Sequence, residues 1–338
     1  MKKLAFVAFL LVCLAAGLAF YTQREWRVVG SVAEGGGLVQ IPPGLGARAV
    51  IGLLEQKKVI KNGYAALAYA FYTGSRNKLQ AGEYLFDRPM TIPEVIAKLT
   101  SGAVYLRKFT VPEGLTIAGV AQKWREQDFG TEEEFLTAAE GAVDLVRNFD
   151  DKAKSVEGYL FPETYSFPRR TSPRRAIEAM VARFHETVER LRQTVPAENW
   201  PLNLRETIIL ASLVETEAAQ ADERPVIASV YLNRLNRRIL LQCDPTVIYA
   251  LAREDRYRGN LTRADLRFDS PYNTYVYPGL PPGAIANPGY AALLATIQPA
   301  TTNYLFFVRT IESRHTFSET LAAHNRAVAA YRKMRRAS

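Results

Sequence analysis

Two glutamates, Glu215 and Glu217, lie inside the apolar segment LASLVETEAA, residues 210–219. On a helix with about 100° per residue, Glu217 continues the apolar stripe of Leu210 and Val214, whereas Glu215 lies on another face. A partly desolvated carboxyl group has a raised pKa and holds its proton near neutral pH, as a general acid must. Glu217 is therefore the candidate acid, although periodicity alone favours the interpretation that both glutamates are ordinary surface charges.

The segment QCDPTVIYAL, residues 242–251, adds two polar candidates. Asp244 precedes Pro245, which is typical of an N-cap residue followed by proline at the first helical position. A structural cap is therefore the favoured role for Asp244, with ligand contact as the alternative. Gln242 has no such structural role and is a candidate for contact with a ligand.

Residues 270–289, SPYNTYVYPGLPPGAIANPG, contain five prolines, three glycines, three tyrosines and two asparagines. Such a loop is stiff without being regular. Tyrosine faces pack on the C–H faces of sugar rings, and asparagine amides bond to their hydroxyls. The candidate sugar contacts are Tyr272, Asn273, Tyr275 and Asn287, although composition supports a proline-braced surface loop equally well.

The three histidines show no HExxH spacing and no Cys/His cluster, so the sequence predicts no metal site. His315, just ahead of the last predicted helix, is a candidate substrate contact, although a lone histidine is more often structural. Glu163, in FPETY, is a candidate second carboxylate that could equally hold a loop. Neither a Walker nor a dinucleotide glycine pattern is present, so no cofactor is expected.

The segment Leu4–Tyr21 has 18 uncharged residues behind Lys2 and Lys3, close to the length of a membrane-spanning helix. By the positive-inside rule the lysines stay in the cytoplasm and the rest of the chain is exported. A cleaved signal peptide, with 17–19 as the cleavage site, is the alternative. The membrane anchor is favoured because the apolar run is long for a signal peptide.

The chain of 338 residues is 48% hydrophobic and 23% charged, which is typical of a globular protein with two ordinary domains. Its net charge of +9 comes from basic residues spread along the chain, so no nucleic-acid partner is predicted. A basic surface also suits an anionic membrane or an acidic cell-wall glycan. Two cysteines in unrelated surroundings imply no disulfide framework.

The pattern of elements predicts an α+β protein whose C-terminal half is mainly helical. Two strand-turn-helix pieces, VQIPPGLGARAVIGLLEQ and FTVPEGLTIAGVAQKW, echo each other near the N-terminus. The predicted parts are 1–24, the cytoplasmic tip and membrane helix; 25–104, a small α+β module; 105–154, a second strand-turn-helix unit and connector; and 155–338, the larger domain. The predicted helices of this last part are 174–194, 204–219, 223–237, 245–254 and 318–335.

Several strings then show a more specific similarity, and the chain resembles the endolytic murein transglycosylases, the MltG or YceG-like family. The matching strings are EGYLFPETY (157–165), ASLVETEA (211–218), VIASVYLNRL (226–235), LQCDPTVIYAL (241–251), SPYNTYVYPGLPPGAIANPG (270–289), YLFFV (304–308) and HTF…HN (315–325).

The resemblance implies a single-pass inner-membrane protein with a LysM-like module at 25–104, followed by a periplasmic catalytic domain with long Pro/Gly-rich loops. In this family the catalytic glutamate corresponds to Glu217. Three residues depart from the family pattern, namely Thr216, Cys243 and Arg314. None of them replaces the acid, but Thr216 changes the charge beside it.

The implied activity is that of a lyase that cuts the β-1,4 bond between N-acetylmuramic acid and N-acetylglucosamine within nascent glycan strands, which terminates their elongation. The sugar's own 6-hydroxyl is the nucleophile, so one glutamate serves as acid and then as base and leaves a 1,6-anhydro end. Peptidoglycan, the membrane and peptidoglycan synthases are the expected partners. The alternatives are a non-enzymatic glycan-binding scaffold and a hydrolytic muramidase, which needs a second carboxylate.

Overall fold

The computed structural model describes residues 2–32, 37–310 and 314–337. The chain divides into two compact units. The N-terminal unit contains the residues up to 108 together with 166–170, and the C-terminal unit contains 109–165 and 171–338.

The helices are α1 (Lys2–Trp26), α2 (Ala47–Gln56), α3 (Gly63–Tyr72), α4 (Ile92–Ser101), α5 (Ile117–Glu126), α6 (Glu132–Glu140), α7 (Pro173–Thr194), α8 (Leu204–Glu217), α9 (Arg224–Asn236), α10 (Asp244–Arg253), α11 (Tyr290–Ile297) and α12 (Leu321–Ala337). The strands are β1 (Leu38–Ile41), β2 (Gly82–Leu85), β3 (Leu106–Thr110), β4 (Thr164–Pro168), β5 (Phe306–Arg309) and β6 (His315–Ser318). They pair as β1–β2, β3–β4 and β5–β6. The predicted helix-rich α+β class is confirmed.

The N-terminal unit is built on the antiparallel pair β1 and β2, in which Val39 lies opposite Tyr84. The strand side chains Val39, Ile41 and Tyr84 are buried and pack with one face each of α2, α3 and α4. Helix α4 begins at a capping box in which Thr91 and Glu94 bond to each other's backbone N–H groups. The predicted strand and helix of the piece VQIPPGLGARAVIGLLEQ are present as β1 and α2, whereas α3 was not predicted.

Helix α1 carries the apolar N-terminal segment. Within Phe6–Trp26, an 18-residue window has a mean hydropathy of 2.0 and is not buried by the rest of the protein. At 1.5 Å per residue the whole stretch Phe6–Trp26 spans about 32 Å, close to the thickness of a bilayer's hydrocarbon core. The chain therefore has an N-terminal apolar helix that is compatible with a single-pass membrane anchor.

Helix α8 is the central element of the C-terminal unit. Its residues Thr207–Val214 are all buried, and it packs against α9, α10 and α11. Asn203 begins the helix in a capping box with Glu206. The helix ends at Glu217, two residues earlier than predicted, so the segment with the two glutamates forms its last turn.

Candidate functional site

The carboxyl group of Glu217 lies at the C-terminal end of α8 and is partly buried. Its Oε1 accepts a long hydrogen bond from the hydroxyl of Tyr231, at 3.4 Å, and one from Sγ of Cys243, at 3.5 Å. Burial is the main reason that the pKa of Glu217 is raised to about 7, and the negative charge of Asp244 raises it further. Glu217 is therefore protonated in a large fraction of molecules at neutral pH, as a general acid requires.

Asp244 lies beside Glu217 but does not cap α10. It is the first residue of the helix, and Cys243 occupies the N-cap position without a side-chain cap. The exposed carboxylate of Asp244 instead accepts a 2.5 Å hydrogen bond from the hydroxyl of Tyr275. The predicted capping role is wrong, because Asp244 is already inside the helix and its side chain bonds to the loop. The structure thus brings Asp244 and Tyr275 together with Glu217.

Gln242 is held in the same region by Arg234. The backbone of Gln242 is left-handed, with φ +51°, and its N–H donates to the carbonyl of Thr274 at 3.1 Å. Its Oε1 accepts a 3.3 Å hydrogen bond from Arg234, which is buried and also donates to the carbonyl of Leu241. Gln242 itself is exposed, so its amide nitrogen is presented beside the segment that carries Asp244.

His315 reaches the site only through other side chains. Its Nδ1 lies 2.8 Å from Oε2 of Glu223, and its ring is almost fully buried. The ring of Phe307 packs edge-on against both His315, at 5.2 Å, and Tyr231, at 5.8 Å. Because Tyr231 bonds to Glu217, His315 belongs to the packing that supports the acid.

Glu215 forms a separate, buried ion pair. Its Oε1 lies 3.0 Å from the guanidinium of Arg224, and its side chain is 4% exposed. Its Oε2 accepts a 2.9 Å hydrogen bond from the N–H of Gly289, at the end of the loop 270–289. The interpretation of Glu215 as a surface charge is therefore wrong, because its own side chain is buried against Arg224 and Gly289. This carboxylate joins α8 to α9 and to the loop.

The substrate-contact roles predicted for Asn273 and Asn287 need correction. Both side chains are fully buried. Asn273 donates to the carbonyl of Phe268 at 2.8 Å, and its Oδ1 accepts from the N–H of Tyr275 at 2.9 Å. Oδ1 of Asn287 accepts hydrogen bonds from two backbone N–H groups, those of Gly158 and Leu160, each at 2.9 Å. Because their hydrogen bonds are made inside the protein, these amides brace the loop instead of facing a ligand.

Glu163 is likewise held by the protein. Its carboxylate forms an ion pair with Arg183 of α7, and its backbone carbonyl accepts from the N–H of Val111. Among the residues that the structure describes, no hydrogen bond or ion pair joins Glu163 to Glu217. The candidate second carboxylate therefore has the alternative role of holding a loop.

Tyr272 lines a cavity of about 820 Å³ in the C-terminal unit. Its ring lies 5.0 Å from that of Tyr249, and the guanidinium of Arg253 lies 5.3 Å from its centre. Along α10, Asp244 and Arg253 are nine residues apart, which places them on opposite faces of the helix. The cavity with Tyr272 is therefore distinct from the surroundings of Asp244.

The cavity also contains a glutamate that sequence reasoning missed. Glu157 is buried, and burial raises its pKa to about 7. Its Oε1 accepts from the N–H of Ile117 at 2.9 Å, and its Oε2 from the hydroxyl of Tyr249 at 3.2 Å. The sequence contained a signal for this residue, because Glu157 lies within the apolar run VEGYLF much as Glu217 lies within the apolar segment LASLVETEAA.

The chain is similar to proteins of one family along most of its length. The model of the YceG-like family matches residues 39–330. An endolytic murein transglycosylase of Bacillus subtilis is 33% identical over 87% of this chain and 84% of its own length. One of Streptococcus pneumoniae is 30% identical over 86% of this chain, which spans only 57% of that longer protein.

A crystal structure of a YceG-like protein from Listeria monocytogenes also matches. Its TM-score is 0.59 at 30% sequence identity, and the match covers 86% of this chain and 98% of that one. The family model, the relatives and the shared fold agree, and the chain belongs to the YceG-like family.

Proposed function

We propose that this protein is an endolytic murein transglycosylase, a lyase that cuts peptidoglycan glycan strands internally and ends their elongation. The relatives that carry this name support the assignment. The observation that carries it is the carboxyl group of Glu217, whose pKa burial raises to about 7 beside the carboxylate of Asp244. Such a group can donate a proton at neutral pH and accept one back in the same cycle.

The reaction needs only one titrating group. Protonated Glu217 donates its proton to the glycosidic oxygen, and the bond from C1 of N-acetylmuramic acid to that oxygen breaks. The resulting Glu217 carboxylate then takes the proton of the muramic acid 6-hydroxyl while the oxygen of that hydroxyl bonds to C1. The leaving sugar gains a free 4-hydroxyl, the other strand gains a 1,6-anhydro end, and Glu217 is protonated again.

The negative charge of Asp244 is useful in both steps. It raises the pKa of Glu217 before the bond breaks, and it stabilises positive charge that develops at C1 in the oxocarbenium-like transition state. The hydroxyl of Tyr275 holds Asp244 in place. We propose that Asp244, Tyr275 and the exposed amide of Gln242 contact the sugars next to the cut bond. His315 makes no such contact in this proposal and supports the site through the packing of Phe307 and Tyr231. Tyr272 is retained as a proposed glycan contact in its own cavity.

We propose that α1 anchors the chain in the inner membrane, with Lys2 and Lys3 in the cytoplasm and the remainder in the periplasm. We also propose a LysM-like module at 25–104, a connector at 105–154 and the catalytic domain at 155–338. Peptidoglycan synthases, which supply nascent strands at the membrane, are the proposed protein partners. A C-terminal reporter that is active only in the cytoplasm should stay silent, and a signal from it would overturn the topology.

The experiment digests glycan strands with the full-length protein and identifies the new ends by mass spectrometry. Wild-type protein should leave 1,6-anhydro ends. Glu217→Gln keeps the size of the side chain but cannot transfer the proton, so cleavage should fall by roughly 10²–10⁴-fold. Glu163→Gln is the control, because Glu163 is paired with Arg183 and is outside the proposed proton transfer, so this variant should keep most of the activity.

The hydrolytic alternative needs a second carboxylate near Glu217, and Asp244 is the candidate for it. It is a second carboxylate close enough to shift the pKa of Glu217, and a muramidase would use it to attack C1 or to activate water. Reducing muramic acid ends in the digest would favour that reaction over cyclisation. Full activity in Glu217→Gln would refute both reactions as described, and an absence of any cleavage by wild-type protein would favour the glycan-binding scaffold.

A further inference from the structure

Helix α3 of the N-terminal unit exposes an entirely apolar face. Tyr64, Phe71 and Tyr72 are 83%, 69% and 77% exposed. With the exposed Ala68 they occupy positions i, i+4, i+7 and i+8, which form one stripe on a helix. The opposite face of α3, which includes Ala66, is buried in the core of the unit. The helix is therefore apolar on both sides, an arrangement that is costly for a helix facing water.

This helix is attached to the end of α1. The indole N–H of Trp26, the last residue of α1, donates to the carbonyl of Ala65 at 3.0 Å. The Trp26 ring also stacks on Tyr72, with centres 5.6 Å apart, and packs edge-on against Tyr69 at 5.1 Å. Tryptophan and tyrosine are enriched where a membrane helix leaves the hydrocarbon core. The contacts fix α3 at that boundary.

Basic side chains flank the stripe. Lys61 precedes α3, and Arg76 and Lys78 follow it, and all three are exposed. The guanidinium of Arg76 lies 5.8 Å from the centre of the Phe71 ring. Cationic side chains at the edge of an apolar helix face can extend to anionic lipid headgroups while the aromatic rings enter the interface.

We propose that α3 lies on the membrane in which α1 is embedded, with Tyr64, Ala68, Phe71 and Tyr72 facing the lipid. This inference rests on the proposed membrane anchor and adds a second, in-plane contact. One helix would leave the N-terminal unit free to rotate and tilt, whereas two contacts fix its orientation and its height above the bilayer. The occupant of the stripe is lipid, since α3 is bonded to the end of the spanning helix itself.

The test places an environment-sensitive fluorophore on single cysteines of the full-length protein in anionic vesicles. Phe71→Cys, made in a Cys13→Ser background, reports on α3, and Ser101→Cys in the same background is an exposed control on α4. The native Cys13, labelled in the unchanged chain, reports on α1. Cys243 is buried and should not react.

The expected result is that lipid-borne nitroxides quench the labels at Cys13 and Phe71→Cys but not the label at Ser101→Cys, and that aqueous iodide shows the reverse order. If the label at Phe71→Cys is as open to iodide as that at Ser101→Cys, or is shielded from both quenchers by a protein partner, the inference is overturned. If the label at Cys13 also escapes the nitroxides, the membrane anchor itself is refuted.

Discussion

Replacement of Glu217 by glutamine should make the protein inactive and, at alkaline pH, more stable. The folded protein raises the pKa of this carboxyl group from 4.5 to about 7, mainly by burial. Holding Glu217 ionised in the folded state therefore costs about 3 kcal/mol at pH 8. Glutamine removes this cost because it has no proton to lose.

The sign of the pH dependence follows from linkage. A carboxyl group whose pKa is raised by folding binds its proton more tightly in the folded state than in the unfolded one. Its favourable contribution is complete below about pH 4.5, falls as the pH rises, and is lost above pH 7. Most of this loss, about 2 kcal/mol, should develop between pH 5 and pH 8 in the wild type and be absent in Glu217→Gln.

The assay is the free energy of unfolding of full-length wild type and Glu217→Gln in detergent, at pH 5 and pH 8, together with glycan cleavage at each pH. The difference between the two proteins should grow towards pH 8 in favour of the variant. An equal difference at both pH values would show that Glu217 is not desolvated. A less stable variant at pH 8 would show that the carboxylate, and not the neutral acid, is the form that the fold prefers.

Three further predictions concern neighbouring groups. Asp244→Asn removes a negative charge that helps to raise the pKa of Glu217, so the fall of kcat/KM above about pH 7 should move to lower pH. This shift is measured by comparing the pH–rate profiles of the wild type and the variant. An identical profile would contradict the electrostatic coupling between the two carboxyl groups. Glu215→Gln leaves the guanidinium of Arg224 with only the half-exposed Glu113, at 3.8 Å, as a counter-charge and should cost about 3 kcal/mol in denaturant unfolding. An unchanged midpoint would refute the buried ion pair. Asn287→Ala leaves two buried N–H groups without an acceptor and should cost about 3 kcal/mol, whereas a purely surface role for this loop predicts no loss of stability.

The helical part of the fold could be predicted because its signals are local. Apolar periodicity and end signals placed α7, α8, α9 and α10 within about two residues of their observed bounds. The helix α3 was missed because it is apolar on both faces and shows no amphipathic period. Its exposed stripe has meaning only once the end of α1 is known to pack against it.

The sequence singled out Glu217 as the candidate acid but did not show the contacts that support it. Its place on the apolar stripe suggested Glu217, but periodicity alone favoured a surface charge, and the resemblance to the family was needed to make the choice. The roles of Asn273 and Asn287 could not be found in this way, since composition does not show whether an amide faces a ligand or bonds to backbone groups far away in sequence. Asn287 accepts from the N–H of Gly158, 129 residues earlier in the chain. Such a partnership is a property of the tertiary fold alone.

The spacing of the two glutamates on α8 explains why one can titrate and the other forms an ion pair. Residues two positions apart on a helix point about 200° apart, so at the end of α8 they meet different neighbours. Glu215 meets the guanidinium of Arg224 at 3.0 Å and forms an ion pair with it. Burial and the anion Asp244 outweigh the hydrogen bonds that Glu217 accepts from Tyr231 and Cys243, which favours the protonated acid. A segment with two glutamates two positions apart thus gives one group that holds the helix in place and one whose raised pKa lets it exchange a proton near neutral pH.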